Sequence, residues 1–264
     1  MDDHCLVFVG GLHRSGTTPL TRCLASHRQV SGFAGTAATE DEGQHLQTVY
    51  PPAGRYGGPG RFALAPAAHL TERSPLAVAS SASRLLEQWR PHWDLDRPVL
   101  VEKSPPNLVM TRFLQALFPD ARFVMVVRHP VVVTLSTRKW ARTAPLGRLT
   151  EHWFRAHDLF TADAARIRNL HVLKYEELVA RPEETLARLG DFLGLDGPVP
   201  ADLVQGHRSS AYEQLWRSWE TSRQPLRRAR RQGLVRAFEQ RARRYGYSMR
   251  DLSVIEPFPA PEHR

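Results

Sequence analysis

The chain has 264 residues, 42% of them hydrophobic, with two cysteines and a formal net charge of +9. That length predicts one core in a single domain, residues 1–264, and two cysteines exclude a disulfide framework; Cys5 and Cys23 read as small core residues. No run of about 18 apolar residues and no signal-like leader is seen, so the expectation is a cytoplasmic protein without stable membrane insertion, and the charge suits an anionic partner of some kind.

The first element predicted is a strand at Cys5-Leu6-Val7-Phe8-Val9, followed by Gly10-Gly11-Leu12-His13-Arg14-Ser15-Gly16-Thr17-Thr18. Leu20, Cys23, Leu24 and His27 then recur at helical spacing, with Pro19 suited to an early helix turn. A strand, a glycine-bearing loop and a helix N-terminus together form a cradle for phosphate-like groups. From Gly11 the spacing matches Gly-x-x-x-x-Gly of a Walker loop, but Thr17 stands where a nucleoside triphosphatase needs lysine. The nearest cation, Arg14, lies inside the loop, so the loop suits a short anionic group held by backbone amides and by Ser15, Thr17 and Thr18. An ordinary glycine-containing turn is the alternative.

A long connection follows, with the acidic cluster Glu40-Asp41-Glu42, a Pro/Gly-rich stretch from Pro51 to Pro59, and a helix carrying Val78, Ala82, Leu85, Leu86 and Trp89. Its irregular part is long enough to be an acceptor-binding loop or lid. The next strand candidate, Val99-Leu100-Val101, ends at Glu102-Lys103-Ser104-Pro105 and precedes a helix bearing Met110, Phe113, Leu114 and Leu117. Phe123-Val124-Met125-Val126-Val127 is apolar throughout, as a strand covered on both faces must be, and ends at Arg128-His129-Pro130. A helix with Val133, Leu135 and Ser136 should follow. The fourth strand candidate, Leu170 to Tyr175, leads to Glu176-Glu177-Leu178 and a helix with Leu186, Leu189 and Leu193 on one face. The segment from Arg223 to Arg244 holds nine arginines and reads as an amphipathic terminal helix with a solvated basic face.

Strands alternating with helices predict an α/β fold, a three-layer sandwich around a central parallel sheet. Ligands of such sheets bind at the carboxyl ends of the strands, which places Arg14, Lys103 and Arg128 on one rim. The chain has only three lysines, Lys103, Lys139 and Lys174, so one on the rim is notable. Three cations on one rim require an anion.

These residues resemble the sulfotransferase family that uses 3′-phosphoadenosine-5′-phosphosulfate (PAPS), and are most similar to its tyrosylprotein and heparan-type branch. Four segments carry the likeness in family order: His-Arg-Ser-Gly-Thr-Thr at 13–18, Glu-Lys-Ser-Pro at 102–105, Val-Val-Arg-His-Pro at 126–130 with Ser136 following, and Lys-Tyr-Glu-Glu-Leu at 174–178. The resemblance implies the P-loop NTPase-like sulfotransferase fold, PAPS as co-substrate, 3′-phosphoadenosine-5′-phosphate (PAP) as product, and no metal. It implies donor contacts from His13, Arg14, Ser15, Gly16, Thr17 and Thr18 to the 5′-phosphosulfate, from Arg128 and Ser136 to the 3′-phosphate, and from Tyr175.

Lys103 matches the catalytic lysine of tyrosylprotein-type enzymes. Arg14 stands where cytosolic members have lysine, and a guanidinium there acts by charge rather than by giving up a proton. Sulfuryl transfer also needs a group to take the acceptor's proton. Glu42, 28 residues after Arg14, has a spacing similar to that of the heparan-type glutamate base, with Glu40, Asp41 and His45 as competitors.

Departures accompany the likeness. His13 replaces the usual proline, and either shapes the loop or touches the acceptor. The Arg-Lys-Gly element of cytosolic members is absent; Arg208 and Arg231-Gln232-Gly233 are only nearby candidates. Tyr212 and Trp216 either stack on adenine or fill core, and His152 and His157 lack the spacing of a zinc helix. The acceptor is expected to be a small molecule or carbohydrate rather than a nucleic acid, with oligomeric state unspecified. A P-loop kinase is the rival enzyme reading, and a nucleic-acid-binding protein the rival from another class.

Overall fold

The structure is a computed structural model that describes residues 4–204 and 209–259. Its centre is a five-stranded parallel sheet in the order β2-β3-β1-β4-β5, formed by β1 (Cys5–Gly10), β2 (Val30–Gly32), β3 (Val99–Lys103), β4 (Arg122–Val127) and β5 (Leu170–Lys174). The four strands expected from apolar runs are all present. The three-residue β2 is an addition: it is too short to show periodicity and is recognisable only by its pairing with β3.

Alternation along the strands splits the core in two. Val7, Val9, Val124 and Val126 face one side, where they meet Leu20, Cys23 and Leu24 of α1 (Thr17–Ala25), Leu178 of α6 (Tyr175–Ala180), and Leu186, Leu189 and Leu193 of α7 (Pro182–Leu193). Phe8, Leu100, Phe123, Met125 and Val127 face the other. There they meet α2 (Ala79–Trp89), α3 (Thr111–Leu117), α4 (Pro130–Thr137), α5 (Leu146–Ala164), α8 (Ser210–Glu220) and α9 (Pro225–Arg244). The result is the three-layer sandwich that the order of segments predicted.

Local differences have local causes. His27 lies past the end of α1 but stays buried, its ring nitrogen 3.2 Å from the Asp196 carbonyl. Val78 precedes α2 and is exposed, so the apolar face of that helix begins later than the spacing implied. Tyr175 opens α6 instead of ending β5. The arginine-rich segment is α9, and its buried stripe of Leu234, Val235, Phe238 and Ala242 includes Arg231. Among the described residues no helix is long and apolar enough to cross a membrane.

Candidate functional site

β1 lies between β3 and β4, so the ends of three strands open side by side and the chain direction across the sheet reverses at β1. Such a reversal leaves a crevice. The loop after β1 turns there, closed by a hydrogen bond from the Ser15 amide to the Leu12 carbonyl at 2.9 Å. Arg14 (φ 73°) and Gly16 (φ 103°) both occupy the left-handed region. Only Gly16 is obligatory, since a Cβ there would enter the ring of Tyr175. α1 begins at Thr17 without a side-chain cap, which leaves its first amides for another acceptor.

Arg128 follows β4 and reaches across to this loop. Its Nη1 donates to the Arg14 carbonyl at 2.8 Å, its Nη2 to Ser209 Oγ at 2.6 Å, and its guanidinium lies 4.2 Å from the centroid of the Tyr175 ring. Trp153 Nε1 fixes the Arg128 carbonyl at 2.9 Å. Burial lowers the pKa of Arg128 from its ordinary value. Arg14 and Arg128 thus open on the same rim, as the topology required. Four side chains around this loop keep a buried polar atom without a partner among the described residues: His13 Nδ1, Arg14 Nε, Ser15 Oγ and Arg128 Nε. Unsatisfied buried groups at this density are costly unless a ligand completes them.

Lys103 ends β3, level with Val9 of β1, and is 3% exposed. Its Nζ donates to the Glu40 carbonyl at 2.8 Å and to Glu42 Oε1 at 3.3 Å. Glu42, 6% exposed, receives Gln44 Nε2 on its other oxygen, with His45 Nε2 3.8 Å from that oxygen. The competitors separate: the Asp41 carboxylate accepts from the Thr36 amide and hydroxyl, both at 2.7 Å, while Glu40 is exposed and turns its carbonyl to Lys103. Glu40 and Asp41 both have positive φ, a strained local path that brings Glu42 back onto the sheet edge.

Glu102, next to Lys103, braces this arrangement from below. Its carboxylate accepts from Ser104 Oγ and Asn107 Nδ2, both at 2.5 Å, and Ser104 Oγ in turn accepts from the Gln44 amide at 2.9 Å. Asn107 Nδ2 also donates to the Val9 carbonyl at 3.1 Å, joining the ends of β1 and β3. Burial raises the Glu102 pKa to about 7.

The Lys-Tyr-Glu-Glu segment divides its work. Lys174 donates to the Tyr245 and Gly246 carbonyls at 2.8 and 3.0 Å, which ties the C-terminal segment to β5, and burial pulls its pKa down to about 8. Tyr175 seats Gly16 and Arg128, and Glu176 accepts from the His129 amide at 2.8 Å and from the Tyr247 hydroxyl at 3.0 Å.

Ser136 is buried in α4, where its hydroxyl donates to the Val132 carbonyl at 2.7 Å and lies 3.1 Å from that of Val133. His13 packs edge-on to Phe62 at 5.7 Å, and burial, reinforced by Lys103 and His45, pushes its pKa down to about 3. Trp216 is core: it is buried, with its Nε1 donating to the Met249 carbonyl at 2.8 Å and the Arg231 guanidinium 5.5 Å from its ring centroid. Arg231, buried on α9, pairs with the exposed Glu220 of α8 at 3.1 Å and donates to the Arg250 carbonyl at 3.2 Å, with Gln232 and Gly233 in the same helix. Tyr212 lies 5.2 Å from Lys139 Nζ, and Arg208 falls outside the described residues. His152 and His157 are packed against Phe62 and Trp153. Among the described residues no group of three or more His, Cys, Asp or Glu is placed to hold a metal ion.

Four contributors were not visible in the sequence. Gln44 and Ser209 carry no motif, Glu102 sits beside Lys103 with no signal of its own, and Trp140 reaches Arg14 from a distant connection, its ring 5.0 Å from the guanidinium.

A model of the sulfotransferase family matches residues 7–198. Protein-tyrosine sulfotransferase 2 of Gallus gallus is 26% identical over 200 residues, 72% of this chain and 51% of that protein, so the chain spans about half the length of this curated relative. Among solved structures, a sulfotransferase from Mycobacterium tuberculosis aligns with a TM-score of 0.52 at 18% identity, covering 80% of this chain and 71% of that one. A mouse sulfotransferase complexed with PAP aligns with a TM-score of 0.46 at 13% identity, covering 90% and 85%.

Proposed function

We propose that this chain, which belongs to the sulfotransferase family, transfers the sulfuryl group of PAPS to a hydroxyl or amine of a small-molecule or carbohydrate acceptor, acting as a single cytoplasmic domain. The observation that carries this reading is the set of buried, unpartnered polar atoms on His13, Arg14, Ser15 and Arg128 around one loop. A seat built of donors and guanidinium groups fits an anion with two charged ends.

In this reading the donor supplies a sulfuryl group activated by its 5′-phosphate leaving group. The loop from His13 to Thr18 holds the 5′-phosphosulfate with its free amides and hydroxyls. Arg128 grips the 3′-phosphate, with Tyr175 behind its guanidinium, and Ser136 joins by turning its hydroxyl away from the α4 carbonyls. Glu42 takes the acceptor proton as the new bond to sulfur forms and the bond to the 5′-phosphate oxygen breaks. Lys103 and Arg14 offset the charge that spreads over the bridging and equatorial oxygens. Gln44 and Lys103 each hold one oxygen of Glu42, so the base is oriented before the acceptor arrives.

Calorimetric titration with PAP, AMP and ATP tests the donor. Selective binding of PAP is expected. Equal affinity for AMP removes the role of the 3′-phosphate and overturns the assignment, and preference for ATP with magnesium moves the chain to the kinase reading.

A further inference from the structure

The β2–α2 connection and the α4–α5 connection meet on the outer side of the site. Gly60 packs against Thr137 at the end of α4 and Leu149 in α5, and Arg61 Nη2 reaches Thr143 Oγ1 at 3.5 Å. Between them lies a cavity of about 430 Å³, with Tyr56, Arg61 and Leu64 on one wall and Thr143, Pro145 and Arg148 on the other. That volume suits a small ligand and no folded partner. No acidic residue lines the cavity, and among the described residues neither guanidinium is ion-paired to a carboxylate.

Chain neighbours of both walls touch the sulfuryl loop. Phe62, the residue after Arg61, packs against the His13 ring. Trp140, in the same connection as Thr143 and Pro145, is 55% exposed and stands over the Arg14 guanidinium. Arg138 fixes this connection by donating to the Ala141 and Ala144 carbonyls at 3.1 and 2.6 Å. A large exposed indole held beside a half-buried cation is an open aromatic wall.

We propose that this cavity is the acceptor subsite, and that it takes a small acceptor carrying a carboxylate or another fixed anion on an apolar ring. Arg61 and Arg148 hold the anion, and Trp140 forms the wall along which the ring's hydroxyl reaches Arg14. The proposal rests on the sulfuryl-transfer reading for the word acceptor, but the binding preference stands by itself. Guanidinium groups pair with a carboxylate in two parallel hydrogen bonds, and two of them without competing acids discriminate strongly against a cation.

The test is equilibrium binding of three phenols of similar shape, 4-hydroxyphenylacetate, 4-ethylphenol and tyramine, to the whole protein with and without saturating PAP. The anionic phenol is expected to bind about tenfold tighter than the neutral one, with the cation weakest. In an Arg61→Ala/Arg148→Ala double variant the preference for the anion should vanish while PAP affinity stays at the wild-type value. Trp140→Ala should weaken the anionic and neutral phenols by the same factor. Equal binding of neutral and anionic phenols, a preference that survives the double variant, or no binding of the anionic phenol at millimolar concentration each overturns the proposal. Failure of the wild-type protein to bind PAP instead strikes the donor reading, and leaves the phenol preference to be read from the PAP-free titration.

Discussion

Arg128→Ala separates the job that one guanidinium holds in this structure from the job proposed for it. As a brace, Arg128 donates to the Arg14 carbonyl and to Ser209 Oγ and lies on Tyr175. As the proposed ligand contact, it would offer the 3′-phosphate a charge-assisted pair. The brace affects every nucleotide that uses the loop, so its loss should weaken AMP and PAP by the same factor. The phosphate contact affects only ligands with a 3′-phosphate. A hydrogen bond to a charged group contributes about 1.5–3 kcal/mol, which adds a further loss of about 10- to 150-fold for PAP. The quantity to measure is therefore a difference of differences, the PAP-to-AMP affinity ratio in wild-type and variant protein by calorimetry at fixed salt. A fall in that ratio of about tenfold or more is expected. If both ligands weaken equally, Arg128 is a brace for the loop and the donor's 3′ end is bound elsewhere.

Glu42→Gln should lower turnover by about 10²- to 10⁴-fold, as loss of a general base does, with PAP affinity nearly unchanged; an unaltered rate passes the role to a neighbour. Gly16→Ala should abolish PAP binding, because the added methyl meets the Tyr175 ring at a left-handed backbone position, and Tyr175→Ala in the same chain should restore part of the lost stability. Additive losses in the double variant would show that the ring contact is not the cause. Acid should unfold the protein early. Burial is the leading cause that holds His13, His129 and His152 at about 3 and His157 at about 4, so below about pH 6.5 the unfolded chain binds protons that the folded one refuses. Stability contributed by these four groups is present above that pH and is lost as pH falls toward their folded values. Glu102 works in the opposite sense, since its raised pKa of about 7 lets the folded state keep a proton that the unfolded chain has released between about pH 4.5 and 7. Near pH 5 these five groups alone take up about three protons on unfolding, or about 4 kcal/mol per pH unit, with His171, lowered by burial, adding to this and Glu176, raised by burial, subtracting from it. Urea melts at about pH 5 and 6 measure it, and an uptake below one proton would refute this account of the buried imidazoles.

The sequence by itself determined the sheet and its rim. A short, unbroken apolar run such as Phe123 to Val127 suits a strand covered on both faces, and a parallel order forces the polar residues that follow such strands, Arg14, Lys103 and Arg128, to one edge. Motif spacing along the chain also located Gly16, whose left-handed φ the loop needs. The tertiary structure decided the questions that depend on approach between segments far apart in sequence. It joined Glu42 rather than Asp41 to Lys103, since Asp41 is consumed by Thr36, and it placed Gln44, Ser209 and Trp140 at the site without any local signal. It also assigned Trp216 and Arg231 to the core. Periodicity reports which face of an element is buried, because burial repeats along a helix or strand. It carries no record of which distant side chain occupies the other side of a hydrogen bond, because that choice is made only when the layers close.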